Sequence, residues 1–433
     1  MAIQALLVIL AVLLVLLFLG VPISYAIAVS SLTAILSSID LNVAVLTAAQ
    51  RTFVGMSKFS LTAIPFFILA GNIMNQGGIA KRLVDFVMAI LGKMPGALLV
   101  TNIGTNALFG AISGSASAAA AAVGSMIRDG AEEQGYDPAV TAATNAASSC
   151  SGLLIPPSNA LITYSLASGG TSVAALFMAG YIPGIIWALC CCVVGVLLAV
   201  KLGYKGTPGK FDWKNLGICT LRALPSLSLI IVVIGGIIGG VFSATEGSAI
   251  AVAYALILAF CYRSINLKSL WKIIVDSAKM SGMVVFLVGV SNILGWVMAF
   301  LQIPDAVAAV LLSLTSNKYI ILLIMNVILL VSGTFMDVTP AILIFTPLFL
   351  PICQSFGMST IQFGLILVYN LCIGNITPPV GNALFVGIKV GRTSLSKVMP
   401  YMLMYYVAII GGLLLVTFIP AVSTALPQAM GLM

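Results

Sequence analysis

Apolar residues run along this chain in long blocks instead of alternating with polar ones. The clearest blocks are Ile3–Gly20, Val21–Ser38, Ala63–Gly77, Ala174–Val200, Pro225–Val241, Gly247–Phe260, Gly282–Leu301 and Val398–Ile419. A helix crosses a bilayer in about 20 residues, so each block predicts a membrane-spanning helix. The strands of a membrane barrel would alternate apolar and polar positions, and these blocks do not. Other apolar stretches are interrupted. Pro95–Met126 carries glycine, serine and asparagine and predicts a re-entrant hairpin with its tip at Ser113–Ser115, and a second hairpin is predicted with its tip near Ser332–Asp337. Pro156-Pro157 and Pro378-Pro379 each fall inside an apolar run. One proline in a helix interior removes a hydrogen bond and clashes with the preceding turn, costing about 3 kcal/mol or more. Two in succession predict a helix that is meant to break.

The interruptions recur. Ile112-Ser113-Gly114-Ser115 matches Val331-Ser332-Gly333-Thr334, and Pro156-Pro157 with Asn159-Ala160 matches Pro378-Pro379 with Asn382-Ala383. The offsets are 219 (Ser113 to Ser332), 222 (Pro156 to Pro378) and 223 (Asn159 to Asn382), which predicts a duplication. Interrupted helices at corresponding positions of two repeats point to the binding site of a secondary transporter. Loop charge sets the orientation. Lys201, Lys205, Lys210, Lys214 and Arg222 form one basic stretch, Arg263, Lys268 and Lys272 a second, and Lys389, Arg392 and Lys397 a third. Lys81, Arg82 and Lys93 mark a further loop. Basic loops stay in the cytoplasm. The charge-free first 39 and last 36 residues then place both termini outside. Tracing the crossings gives two repeats of opposite orientation in an all-α integral membrane protein, with Arg51, Lys58 and Lys318 outside.

Composition narrows the chemistry. Of 433 residues, 61% are hydrophobic and 7% charged, against about 25% charged in soluble proteins. The first apolar run has no basic residue before it, as a cleavable secretory signal would. The absence of histidine removes histidine-dependent hydrolases and the common histidine metal sites. None of the eight cysteines has metal-ligand spacing, and they read as small buried hydrophobes. The net charge of +8 reports orientation in the bilayer, with no nucleic-acid partner implied.

Non-helical backbone is tolerated at membrane depth only where protein buries it or it lines a cavity. If each hairpin tip meets the break of its own repeat, freed carbonyls and hydroxyls form two cages suited to Na⁺. One would comprise Ser113, Gly114, Ser115, Pro156, Ser158 and Asn159. The other would comprise Ser332, Gly333, Thr334, Thr377, Pro378, Gly381 and Asn382. Asp337 is a functional candidate as a carboxylate near membrane depth, either in an ion site or as a hairpin-tip cap. Glu246 reads equally as a solvated residue at an outer turn. Ala116–Ala122 reads as a stripe for close helix packing. Arg51 and Lys58 would draw an anion, dock a partner or anchor the interface. An aspartyl protease would need two facing acids, and Asp337 has no evident partner. A passive channel would need a charged or carbonyl-ringed pore.

The stretches AIPFFILAGNIM (63–74), GAISGSASA (110–118), GLLIPPSNALI (152–162), FSATEGSAIAVAYAL (242–256), SGTFMDVTPAI (332–342) and GNITPPVGNALFVG (374–387) resemble the large membrane subunit of tripartite ATP-independent periplasmic (TRAP) transporters. The resemblance covers nearly the whole chain. It implies an elevator fold in a bacterial inner membrane, with residues 1–60 as scaffold helices and first arm and 61–172 as the first transport half. Residues 173–280 would be scaffold, cytoplasmic loop and second arm, 281–396 the second transport half, and 397–433 a last scaffold helix. It also implies Na⁺-driven uptake, with at least two ion sites, of a carboxylate delivered by a soluble periplasmic binding protein. Sialic acid and a C4-dicarboxylate are the candidate solutes, the former slightly preferred. A small membrane subunit of about four helices is expected as a separate chain. The family often carries an acid just before the Ser-Phe of its first arm, where this chain has Gly55-Met56-Ser57-Lys58-Phe59. The alternative is a standalone sodium–dicarboxylate symporter that needs no binding protein.

Overall fold

A computed structural model of the chain describes residues 2–206, 212–315 and 317–433, so Lys210 lies outside the described residues. Among the described residues every regular element is helical. Helices α1 (Ala2–Phe18), α2 (Ile23–Ile35) and α3 (Leu41–Met56) lead through a short turn at Phe59–Thr62 into α4 (Ala63–Gln76) and α5 (Ile79–Leu91). Helices α6 (Ala97–Ser113) and α7 (Ala116–Glu133) pack together as a hairpin. The first broken helix is α8 (Pro138–Ser149), the single turn α9 (Ser151–Leu154) and α10 (Asn159–Ala167). Long helices α11 (Val173–Leu202), α12 (Trp213–Ile238), α13 (Ala244–Cys261) and α14 (Leu267–Phe300) follow, then α15 (Ile303–Leu314). The second set is α16 (Lys318–Gly333) and α17 (Val338–Ser355), then α18 (Thr360–Gly374) broken from α19 (Asn382–Val390), then α20 (Leu395–Phe418) and α21 (Pro420–Ala429).

Six helices, α11 to α14, α17 and α20, are long and apolar enough to cross a membrane, and α3 with the 59–76 segment makes a seventh span bent by 59°. The chain is therefore a multi-pass membrane protein. Several element bounds differ from the sequence expectation. The first two apolar runs yield helices of only 17 and 13 residues, divided at Gly20 and Pro22. Gly282–Leu301 is the second half of the 34-residue α14, so Lys268 and Lys272 lie on that helix and not in a loop. Similarly, α12 starts at Trp213, where the Asp212 carboxylate accepts from the amides of Lys214 and Asn215, and it absorbs Lys214 and Arg222. Lys81 and Arg82 lie on α5. Lysine and arginine are good helix formers, and their stems lie along apolar surface while the charge reaches water. A basic cluster thus marks the membrane edge without marking a helix end.

Elements recur at a near-constant interval. Val338 opens α17 222 positions after Ala116 opens α7, Thr360 opens α18 222 after Pro138 opens α8, and Leu395 opens α20 222 after Val173 opens α11. The two sets interlock: α19 packs on α7 and α8, and α10 packs on α17. Glycine permits the closest approaches. A Cβ on Gly152 would lie 2.1 Å from Gly110 Cα, and one on Gly374 would lie 2.4 Å from the Gly333 carbonyl carbon. Buried polar groups clamp the broken helices. Trp187 Nε1 donates to Ala147 O at 2.8 Å, Thr144 and Tyr405 share a hydroxyl bond of 2.7 Å, and Tyr406 donates to Ile376 O at 2.6 Å. The Asn106 amide donates to Asn145 Oδ1 and Ser148 Oγ, as that of Asn370 does to Asn326 Oδ1. In hydrocarbon each such group would be costly without its partner.

Candidate functional site

The first tip is built by Gly114, which takes a left-handed backbone at φ 61°, and by Ser115, whose hydroxyl accepts from Ala118 N and caps α7. Ser113 Oγ donates toward Gly110 O and Ser115 O. This tip meets its own break. Asn159 Nδ2 donates to Gly114 O at 3.5 Å, and a Cβ on Gly114 would lie 3.0 Å from that nitrogen. Beyond the buried Pro156, Ser158 caps α10 by accepting from Leu161 N while donating to Leu153 O. Its hydroxyl bridges the two halves of the break.

The second tip also meets its own break. Val380 N donates to Thr334 O at 3.1 Å, and Gly333 faces the Gly374 backbone. Gly381 permits a close approach, since a Cβ there would lie 2.8 Å from Thr377 O. Ser332 and Gly333 end α16, while the Thr334 and Thr377 hydroxyls donate to Val331 O and Ile373 O. Pro378 is half-buried, and Asn382, the first residue of α19, is exposed. The two breaks also touch each other: Asn375 Nδ2 lies 3.9 Å from Cys150 Sγ, and Cys372 Sγ lies 3.9 Å from Cys150 O.

Both repeats converge on one cavity of about 150 Å³. Gly114, Ser115 and Asn159 line it from the first repeat, Asp337 and Asn375 from the second. Among the described residues, the carboxamide oxygens of Asn159 and Asn375 are buried without a hydrogen-bond partner. Asp337 holds the N-cap position of α17, and its carboxylate accepts no side-chain capping bond from that helix. By contrast, Glu246 accepts from Ser243 N and Oγ in a capping box, which gives it a structural role. Arg51 and Lys58 line a separate cavity of about 380 Å³.

Sequence reasoning missed Asn375. It stands three positions before Pro378, inside the quoted GNITPP stretch, but the matching position of the first repeat offers no amide, so comparison of the halves passed over it. The cysteines form no disulfide and are buried or half-buried except Cys261, which is exposed at the end of α13. Among the described residues no cluster of His, Cys, Asp or Glu could hold a transition metal.

Residues 10–422 match the family described as tripartite ATP-independent periplasmic transporter, DctM component. A Salmonella typhimurium protein, the uncharacterized YgiK, is 50% identical over 94% of each chain. The C4-dicarboxylate TRAP transporter large permease protein DctM of Rhodobacter capsulatus is 32% identical over 95% of this chain and 96% of that one. The sialic acid TRAP transporter large permease protein SiaM of Vibrio cholerae is 32% identical over 95% and 96%. Among solved structures, the YdaH transporter of Alcanivorax borkumensis shares the fold, with a TM-score of 0.63 over 88% of each chain at 15% identity.

Proposed function

Because the chain belongs to the DctM-component family of TRAP transporters, which are permeases and not enzymes, we propose that it is the large membrane subunit of a Na⁺-coupled importer of a carboxylate solute. Permeases of this family work with a small membrane subunit and a periplasmic binding protein. Here the binding protein releases the solute outside, to this permease and its small subunit in the bacterial inner membrane. The solute is sialic acid or a C4-dicarboxylate, as the names of two relatives suggest.

One observation carries the ion-coupling reading. Two buried, unpartnered amide oxygens, one from each repeat, share a cavity with the first hairpin tip and Asp337. Buried acceptors without a donor are costly, and a hard cation such as Na⁺ is a suitable partner. Na⁺ is a transported co-substrate in this scheme. Ser113, Gly114, Ser115, Pro156, Ser158 and Asn159 form the first cage, and Ser332, Gly333, Thr334, Thr377, Pro378, Gly381 and Asn382 the second. Asp337 stands between them at the cavity. Its negative charge repels a carboxylate until Na⁺ offsets it, so ion binding precedes or accompanies solute binding. The N-termini of α7, α10 and α17, which all open at the cavity lining, favour the anion through their dipoles.

Two inverted repeats, residues 61–172 and 281–396, form the transport domain. It slides between faces against the scaffold of residues 1–60, 173–280 and 397–433. The interlock of α10 with α17 and of α19 with α7 supports their moving as one unit. Each net charge moved inward gains about 2.3 kcal/mol per 100 mV, and a tenfold Na⁺ gradient adds about 1.4 kcal/mol per ion. Two Na⁺ with one monovalent anion therefore gain roughly 5 kcal/mol, enough to accumulate solute several thousandfold.

The test is uptake into proteoliposomes holding this chain and its small subunit, with and without the binding protein and an inward Na⁺ gradient. Uptake requires both, and Asn159→Ala or Asn375→Ala each raises the half-saturating Na⁺ concentration about tenfold, the loss of roughly 1.4 kcal/mol of ion binding. Uptake indifferent to Na⁺ would sink the cage assignment. Uptake by this chain alone would establish the standalone symporter instead.

A further inference from the structure

We infer that the pocket holding Arg51 and Lys58 is an anion-loading vestibule, where a small carboxylate is held before it enters the central cavity. The inference rests on the transport reading above and adds a second solute position to it. Arg51 and Lys58 stand seven positions apart on and just beyond α3, and both line the cavity of about 380 Å³. Neither is ion-paired among the described residues. The Arg51 guanidinium lies 5.7 Å from the ring centroid of Trp296, which itself stacks on Phe300, so the charge is seated on a fixed aromatic face.

The vestibule and the central cavity are built from successive turns of the same three helices. On α10, Thr163 lines the central cavity and Ala167 the vestibule. On α14 the pair is Val284 and Ser291, and on α17 it is Thr339 and Leu343. At about 1.5 Å per residue these steps span only about 6 to 10 Å. The two cations therefore stand one to two helical turns from the cavity holding Asp337 along the same three helices. Ser291 Oγ and Asn292 Nδ2 donate to the Leu287 and Val288 carbonyls of their own helix. The attraction at the vestibule is then chiefly the charge of Arg51 and Lys58, which concentrates carboxylates without selecting among them. The pocket is concave and shares three lining helices with the central cavity, which favours a small anion over a macromolecular face.

The experiment uses the purified chain with its small subunit and reads tryptophan quenching by iodide at low ionic strength, with Trp296→Phe defining the Trp296 component. Arg51→Gln and Lys58→Gln each lower iodide quenching of that component about threefold, the order expected for losing one nearby charge. Quenching by neutral acrylamide is unchanged, which separates lost charge from misfolding. In proteoliposomes the same variants raise the half-saturating concentration of solute-loaded binding protein, while the affinity of solute-free binding protein stays constant. Iodide quenching unaffected by either variant would overturn the proposal. So would a parallel fall in the affinity of solute-free binding protein, which would make the pocket a docking surface. Iodide quenching that is present in neutral-lipid nanodiscs but abolished by anionic lipid would also overturn it, since a headgroup would then occupy the pocket. If the unaltered complex shows no Na⁺-dependent uptake, the transport reading fails, but the quenching result still stands on its own.

Discussion

Gly152 and Gly411 are both helical glycines, and the space around them differs. A Cβ on Gly152 would lie 2.1 Å from Gly110 Cα, a backbone atom that cannot rotate away, whereas one on Gly411 would meet nothing within 4 Å. Gly152→Ala therefore costs about 1 to 3 kcal/mol by overpacking, and Gly411→Ala stays within about 0.5 kcal/mol. Thermal unfolding of the purified complex in detergent checks this, and equal transition temperatures for the two variants would refute the contact. The same residue pair explains a limit of sequence reading. Ser-Gly-Ser and Ser-Gly-Thr were aligned on their own letters, at an offset of 219. In the fold, Gly110 and Gly152 occupy the role of Gly333 and Gly374, at offsets of 223 and 222. Letters mark a tip, but the contact that fixes its position is made by a helix turn away from it.

At the scale of elements, the short helices after the breaks gain their stability from the opposite repeat. Nine-residue helices such as α10 and α19 are marginal alone. For α19 the partner is α7: Arg128 Nη1 donates to Val390 O at 3.3 Å and caps the last turn, while Gly387 and Gly391 lie against Ala142 and Ala146 of α8. A cation at a helix C-terminus contributes about 0.3 to 1 kcal/mol. Arg128→Ala therefore speeds amide exchange in the last turn of α19 about two- to fivefold, by the same energy, with no change in α10. Mass-spectrometric hydrogen exchange reads this, and unchanged protection of residues 387–390 would show the cap to be idle. The breaks were legible in the sequence because proline and glycine act locally. The continuation of α12 and α14 past their basic residues was not, because a basic cluster marks the membrane edge and says nothing about where the helix itself ends.

At the scale of the whole molecule, orientation has a direct probe. Cys261 is exposed at the end of α13, beside the basic loop of Arg263, and the remaining cysteines are buried or half-buried. A membrane-impermeant maleimide should label Cys261 in inside-out vesicles and spare it in right-side-out vesicles. Labelling from the outside would reverse the topology. The sequence by itself determined the membrane class, the helical content, the two breaks and the family. Each follows from hydropathy, from backbone chemistry that proline and glycine impose locally, or from motifs read in order. Only the tertiary structure decided that the first tip and Asp337 open on one cavity, which Ser332, Gly333 and Thr334 do not line. It also placed Asn375 and Asn159 on the same cavity, left the Asp337 carboxylate without a bond to α17, and set Arg51 and Lys58 in a second cavity bordered by the same three helices. Those facts depend on how α17 packs against α10 and α14, through contacts between residues far apart in the chain, and no local pattern encodes such a contact.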